Sequence, residues 1–253
     1  MALETSPNPP FPDAAWAQLW TTPGPASPHP DRPAVTVTMV SSVDGHVTEG
    51  GKVSSLTGPA DQAFLHRLRA AHDGVLVGAT TVRVEGYASL LTSTEQAHRQ
   101  AQGLSAQPVL CIVSASAELD PSLPVFGARD LQIVVLTKAT AQREDLPRQV
   151  QVLGDQSETS DGLDLRSLLA GLQARHGVNR LLCEGGPTLV GSLVKSGTID
   201  ELIMVVSPRL SGGEGPRIIV GVSALQRSLS LVAHAVVDNF IFLRYRVARE
   251  ATA

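Results

Sequence analysis

The chain has 253 residues, of which 43% are hydrophobic and 17% are charged, and its net charge is −4. This composition allows one large domain or two small ones with a substantial core. The mildly acidic charge, an aromatic content of 4% and the lack of a basic stripe argue against a nucleic-acid partner. No apolar stretch is long enough to cross a bilayer, so no membrane partner is expected.

Residues 1–33 contain nine prolines and little hydrophobic periodicity. We interpret them as a Pro-rich N-terminal extension that is loosely ordered except around residues 16–20. Residues 34–253 are predicted to form a single domain.

Short runs of β-branched or apolar residues predict strands. In chain order the strands cover residues 35–40, 74–78, 108–113, 131–136, 180–183 and 201–206, and the runs at 229–237 and 240–247 predict an antiparallel pair. Helical periodicity predicts helices over residues 60–71, 80–85, 163–176 and 187–196, whereas the polar residues 92–107 predict a loop that is helical in part. This alternation of strands and helices is typical of an α/β layered domain.

The two cysteines, Cys111 and Cys183, lie within predicted strands. Buried free thiols are typical of a reducing compartment, and the N-terminus lacks the charged segment followed by an apolar one that marks a signal peptide. We therefore expect a cytoplasmic protein. Two separated cysteines do not form a paired-Cys zinc signature, and no metal site is expected.

The most informative stretch joins a predicted strand to the following helix and reads Glu184-Gly-Gly-Pro187. Two glycines allow a tight turn and a close approach of the backbone to a ligand, and proline suits the first helical turn. The free N–H groups of that turn favour an anion such as a phosphate. Glu184 ends its strand where open α/β sheets bind their ligands. A plain strand-to-helix turn is the alternative interpretation.

Two weaker motifs follow other predicted strands. Asp44, in the segment Ser41-Ser-Val-Asp-Gly45, is a candidate ligand of a polar heterocycle, or else it shapes the turn through its own backbone. The hydroxyl and N–H groups of Gly78, Thr80 and Thr81 are candidates for binding a second phosphate of the same dinucleotide. A threonine N-cap without a ligand would explain the same residues.

In this order and spacing, the motifs resemble one family, the reductase domain of the bacterial riboflavin-pathway deaminase-reductase, a relative of dihydrofolate reductase. The resemblance covers about residues 34–247. The matching motifs are Ser42-Val-Asp-Gly45, His66-Arg-Leu-Arg69, Val77-Gly-Ala-Thr-Thr-Val82, Glu184-Gly-Gly-Pro187, Asp200-Glu-Leu202 and Ser207-Pro-Arg-Leu-Ser-Gly212. The resemblance implies a dihydrofolate-reductase-like three-layer domain, with a mostly parallel central sheet and an antiparallel C-terminal pair.

The resemblance also implies reduction by NADPH and a homodimer. Glu184 and Asp44 would be the catalytic residues, and Ser42 and Arg69 would join them in binding the substrate, Arg69 at an anionic group. The residues that would hold the cofactor are Val40 at the nicotinamide, Gly78, Thr80 and Thr81 at the adenosine half with Glu85 after them, Ser114 at the 2′-phosphate, and Gly185, Gly186, Pro187, Thr188 and Leu189 along the pyrophosphate.

Three positions depart from the family pattern. Thr38 stands where the bifunctional reductases usually carry a lysine, and Val84-Glu-Gly-Tyr87 stands where they usually read Ala-Asp-Asp-Pro. An arginine of the ribose-phosphate pocket is absent from residues 90–95. The cofactor half of the site therefore matches the family, whereas the substrate half is altered and resembles stand-alone actinobacterial homologues.

We therefore predict an NADPH-dependent reductase of a pyrimidine- or pterin-like small molecule, similar to the 5-amino-6-(5-phosphoribosylamino)uracil reductase of riboflavin biosynthesis. Two alternatives stay open, namely a dihydrofolate reductase activity and a non-catalytic NADPH-binding homologue. The zinc deaminase signature, His-x-Glu followed by Pro-Cys-x-x-Cys, does not occur in the sequence, so base deamination is not expected.

Overall fold

The computed structural model describes residues 11–20, 29–48, 55–138, 146–147, 150–155, 162–223 and 226–248. The helices are α1 (Asp13–Leu19), α2 (Pro59–Ala71), α3 (Ala79–Glu85), α4 (Ser93–Ala101), α5 (Leu165–His176) and α6 (Pro187–Lys195). The strands are β1 (Ala34–Ser41), β2 (Gly74–Gly78), β3 (Val109–Val113), β4 (Ile133–Lys138), β5 (Val150–Asp155), β6 (Arg180–Cys183), β7 (Glu201–Val206), β8 (Leu229–Val237) and β9 (Phe240–Val247). Residues 1–10 and 21–28 of the predicted extension lie outside the described residues.

The nine strands of the described residues form one sheet in the order β5-β4-β3-β2-β6-β1-β7-β9-β8. The pairs from β5 to β7 are parallel, and β9 is antiparallel to both β7 and β8. The turn between β8 and β9 places Asp238 and Asn239 at positive φ, 49° and 66°, as the favoured two-residue hairpin turns require. The predicted α/β class, with a mostly parallel sheet and an antiparallel C-terminal pair, is confirmed.

Helices cover both faces of this sheet because its strands alternate buried side chains between the two faces. On one face, Leu169 of α5 and Leu193 of α6 pack in a core that includes Val37 of β1. On the opposite face, Phe64 of α2 packs in a core that includes Phe242 of β9. The domain therefore has the three layers that the resemblance implies.

Helix α1 has no counterpart among the predicted helices, and α4 and β5 also extend the sequence prediction. Helix α4 lies in the polar stretch that the sequence predicts to be a loop that is helical in part. It begins with a capping box in which Thr92 and Glu95 each accept the other's backbone N–H, a pattern that the sequence contains. Strand β5 has no counterpart among the predicted strands. Its residues Gln151 and Val152 are exposed at the edge of the sheet, so it lacks the continuous apolar run of a central strand.

Part of the predicted N-terminal extension packs against the domain. The ring of Phe11 is buried between those of Phe64 and Phe242, at centroid distances of 5.0 and 5.1 Å. Arg244 of β9 donates from Nη1 to the carbonyl oxygen of Leu19 at 3.0 Å. The division of the chain at residue 33 remains a prediction, but these segments on either side of it are in direct contact.

Among the described residues, no helix combines the length and the apolar character needed to span a bilayer. Within the same residues, no group of three or more His, Cys, Asp and Glu side chains is placed to hold a metal ion. Cys111 and Cys183 are both buried and free.

Candidate active site

A cavity of about 510 Å³ opens at the carboxyl ends of β1 and β6. In an open parallel sheet this edge is where ligands bind. One wall comes from the end of β1, a second from α2, and a third from the end of α3 together with the turn after β6. The sequence-predicted site residues in these walls are Val40, Arg69, Thr81, Glu85, Glu184, Gly186 and Pro187.

Glu184 and Arg69, predicted as separate substrate contacts, form an ion pair in the cavity wall. Arg69 donates from Nε to Oε1 of Glu184 at 2.6 Å and from Nη2 to Oε2 at 2.8 Å, which is a bidentate geometry. Tyr87 donates its hydroxyl to the same Oε2 at 3.0 Å. The side chains of Arg69 and Glu184 are only 11% and 6% exposed, so solvent screens the pair little.

The protonation of this cluster follows from its burial and charge. Burial lowers the pKa of Arg69, but the Glu184 carboxylate outweighs that effect and the net pKa lies above its ordinary value. Burial and the same carboxylate raise the pKa of Tyr87. Arg69 therefore remains a cation and Tyr87 a neutral donor. Both point their hydrogens at Glu184, whose other lone pairs are left for a ligand.

The turn after β6 needs glycine at its first position. Gly185 has φ of +90°, and a Cβ added there would lie 2.8 Å from Sδ of Met39. The positive φ therefore disfavours a side chain, and a Cβ would also require the Met39 side chain to move. Gly186 differs, because its φ is −76° and an added Cβ would lie 3.7 Å from Oγ1 of Thr81, an ordinary contact. The peptide bond between the two glycines is cis.

The two turns predicted to bind phosphates lie side by side. The N–H of Gly78 donates to the carbonyl oxygen of Gly185 at 3.2 Å, and the hydroxyl of Thr81 is the nearest group to the open side of Gly186. The starts of α3 and α6 thus border the same edge of the cavity. Because α6 starts at Pro187, its next N–H groups have no acceptor within the helix.

Four other predicted cofactor residues do not line the cavity. Thr80 and Thr188 are exposed on their helices. Leu189 packs its side chain in the core, and Ser114 is buried after β3 with its N–H donating to the carbonyl oxygen of Leu136 at 3.0 Å. Their roles in cofactor binding remain predictions.

Asp44 and Ser42 do not line the cavity either. The Asp44 carboxylate accepts from the N–H groups of Ser211 at 3.1 Å and Gly212 at 2.8 Å, and it lies 3.1 Å from Nδ1 of His46. The Ser42 side chain and these two backbone donors hold the pKa of Asp44 well below its ordinary value. The Asp44 carboxylate thus holds the loop together through these hydrogen bonds. The predicted catalytic role of Asp44 and the predicted substrate contact of Ser42 remain predictions.

Three further residues of the cavity wall were not predicted as site residues. Thr38 lines the wall as a neutral side chain, and Tyr87 is the hydrogen-bond partner of Glu184. Asp61 lies in the first turn of α2, three and seven residues before the buried Phe64 and Leu68. This spacing puts a carboxyl on the apolar face of a helix, which is a signal that the sequence contains.

Comparison with known proteins matches residues 33–243 to the RibD C-terminal domain family. The 2,5-diamino-6-ribosylamino-4(3H)-pyrimidinone 5′-phosphate reductase of Archaeoglobus fulgidus is 28% identical over 200 residues, covering 78% of this chain and 90% of that protein. The protein of the same name from Aquifex aeolicus is 27% identical over 222 residues, covering 83% of this chain and 92% of that protein. A solved structure of a pyrimidine reductase-like protein from Corynebacterium diphtheriae has a TM-score of 0.71 at 24% identity. The match covers 87% of this chain and 94% of that one.

The chain belongs to the RibD C-terminal domain family. The predicted resemblance to riboflavin-pathway reductases is confirmed, and the fold agrees with that of the solved relative. The relatives are named as reductases. This agrees with the oxidoreductase class that the sequence predicts. Their names favour a riboflavin-pathway reductase over a dihydrofolate reductase and over a non-catalytic role.

Replacing Arg69 by Met tests the ion pair, because it leaves the Glu184 carboxylate buried without its counter-ion. We expect the free energy of unfolding, measured by urea denaturation, to fall by about 3–5 kcal/mol. Arg67→Met is the matched control on the same helix. Its partner Asp13 is exposed, so the loss should be about 1 kcal/mol or less. Equal losses in the two variants would contradict the importance of the buried pair.

Proposed function

We propose that this chain is an NADPH-dependent reductase of a ribosylamino-pyrimidine like the one in the names of its relatives. The observation behind the proposal is the juxtaposition, in one cavity, of the Glu184 carboxylate with the glycine turn and Thr81. One wall offers acceptors to a heterocycle, and its neighbour offers backbone donors to a phosphate. The names of the Archaeoglobus and Aquifex relatives support the substrate class.

The glycine turn fits a nicotinamide dinucleotide. A Cβ added to Gly78 would meet nothing within 4 Å, and one added to Gly186 would meet only Thr81, so both glycines border open space. The N–H groups at the start of α6 add free donors and the positive end of a helix dipole. In this proposal the two turns hold the phosphates, and Val40 borders the nicotinamide. When bound, the cofactor supplies the hydride, and the chain supplies position and charge.

The Glu184 cluster suits an amino-pyrimidine. Oε1 accepts one hydrogen bond and Oε2 accepts two, so the carboxylate has lone pairs left for ring N–H and amino donors of a substrate. Arg69 and Tyr87 already fix its orientation. Binding therefore does not have to order this carboxylate, which lowers the entropic cost of recognition.

The described walls of the cavity offer no spare cation to a substrate phosphate. Arg69 is the cation of these walls, and its charge is paired with Glu184. Asp61 and Glu85 are further acids in the walls, and Thr38 is neutral. Each missing charge-assisted contact removes roughly 1.5–3 kcal/mol, about tenfold or more in affinity.

We therefore expect the 5′-phosphate to contribute little to turnover. The value of kcat/KM for NADPH oxidation should stay within about tenfold between the phosphorylated pyrimidine and its dephosphorylated analogue, with dihydrofolate as the comparison substrate. A kcat/KM more than about a hundredfold higher for the phosphorylated pyrimidine would contradict the absence of a spare cation in the described walls. If none of the three compounds supports NADPH oxidation, the proposed function itself is contradicted.

The matched pair Gly186→Ala and Gly185→Ala tests the cofactor site. Gly186 has an ordinary backbone and room for a Cβ, so we expect this variant to keep its Tm while its Kd for NADPH rises by about tenfold or more, because the methyl group occupies the phosphate space. Gly185→Ala should instead lower the Tm. Fluorescence titration with NADPH and with NADH gives both affinities, and NADPH should bind more tightly. A folded Gly186→Ala variant with unchanged affinity would make the turn purely structural.

We also propose that two copies of the chain form a homodimer through the face of β8 and β9. Val236 and Ile241 are cross-strand neighbours, 65% and 40% exposed. Strand β8 ends the sheet, so its outer edge has no partner strand among the described residues. Exposed apolar side chains beside an unpaired strand edge favour burial against a partner protein. The family resemblance implies that this partner is a second copy of the chain.

Light scattering at micromolar concentration measures the mass in solution. We expect the wild-type chain to have twice the mass of one chain, and Val236→Lys to shift it toward that of a single chain. Val152→Lys places the same charge at the opposite edge of the sheet, on a side chain that is 43% exposed, and should leave the dimer intact. A monomeric wild-type protein would refute this assembly.

We propose that the protein acts in the cytoplasm. The buried free thiols of Cys111 and Cys183 support a reducing compartment.

A further inference from the structure

Asp61 is a buried carboxyl group in the wall of the cavity. It lies in the first turn of α2, is 8% exposed, and lines the same space as Glu184 and Arg69. Its neighbours in the helix, Ala60 and Phe64, pack in the apolar core. The side chain thus lies between an apolar layer and the space that a substrate would occupy.

Within the described residues, the Asp61 carboxyl group has neither a hydrogen bond nor an ion pair, and burial is the effect that acts on it. Burial without a partner disfavours the charged form of an acid, and it raises the pKa of Asp61 to about 7. Acids in the first turn of a helix ordinarily complement the helix dipole as anions. Asp61 instead keeps its proton up to near-neutral pH.

The other titratable groups in the described walls are poorly suited to release a proton there. Glu184 is committed to Arg69 and Tyr87 by three hydrogen bonds, and neither donor readily gives up its proton because its pKa lies above the ordinary value. Glu85, at the end of α3, is exposed to solvent. The residues that β1 contributes, Thr38 to Val40, carry no charge.

We propose that Asp61 is the general acid of the reduction and donates its proton to the substrate heteroatom of the bond that is reduced. This inference rests on the proposed function. The reductant is a reduced nicotinamide nucleotide, which supplies a hydride to the carbon of the C=N or C=O group. The π electrons of that group form the new N–H or O–H bond as the O–H bond of Asp61 breaks. Its electron pair stays on the carboxylate, and water returns the proton afterwards.

The protein without cofactor tests the protonation of Asp61. The folded-state pKa lies above the value of 3.8 for a free aspartate, so the wild-type chain loses stability as the pH rises from about 4 to about 7 and keeps that loss above it. Asp61→Asn removes the cost of burying a charge. Its Tm should therefore exceed that of the wild type at pH 8, and the gap should be smallest at pH 4. Asp31→Asn, which removes an exposed carboxylate, should show no such gap.

Steady-state kinetics with NADPH and the dephosphorylated pyrimidine test the proton transfer. We expect wild-type kcat/KM to fall as the pH rises through about 7, because the active form is the acid. Asp61→Asn should lower kcat/KM by about a hundredfold or more and remove this pH dependence, while its Kd for NADPH stays within about twofold of the wild-type value. Asp31→Asn should keep both the rate and the pH profile.

The outcomes separate the two proposals. An Asp61→Asn variant that is less stable than the wild type at pH 8, or that retains the rate and pH profile, would overturn the role of Asp61 and leave the reductase assignment standing. Wild-type protein that oxidises no NADPH with any pyrimidine substrate would overturn the proposed function and the proton transfer together.

Discussion

The buried ion pair between Arg69 and Glu184 is the constraint on which the rest of the site depends. It joins two residues 115 positions apart in the chain, one on α2 and one at the end of β6. Tyr87 adds a third segment to the same carboxylate. Because a buried charge without its partner is strongly destabilising, these three segments keep a fixed arrangement, and the walls of the cavity are set by it.

The same ion pair divides the acids of the cavity into two kinds. Glu184 has a cation and a phenol to hold it in place, whereas Asp61 is buried in the wall of the cavity without such partners. The two carboxyl groups therefore have different surroundings, because only Glu184 is hydrogen-bonded to a cation and a phenol. Enzymes commonly assign acid and base roles to neighbouring carboxyl groups by environment in this way.

The sequence predicted the features that depend on local chemistry. The central strands are continuous apolar runs, and the glycine turn after β6 has local requirements that two adjacent glycines reveal. The sequence missed what depends on partners far along the chain. Nothing near Asp44 indicates that the N–H groups of Ser211 and Gly212 occupy its carboxylate. Likewise, Arg69 and Glu184 each look like a free substrate ligand until the fold brings them together.

The aromatic contacts of Phe11 have a consequence for where the folding unit begins. The match to the family starts at residue 33, yet Phe11 covers the rings of Phe64 and Phe242 on the far side of that boundary. A chain shortened to the family match would leave this aromatic surface open to water, and exposed apolar patches promote aggregation. The residues that match the family therefore do not include all the residues that cover the apolar core of the domain.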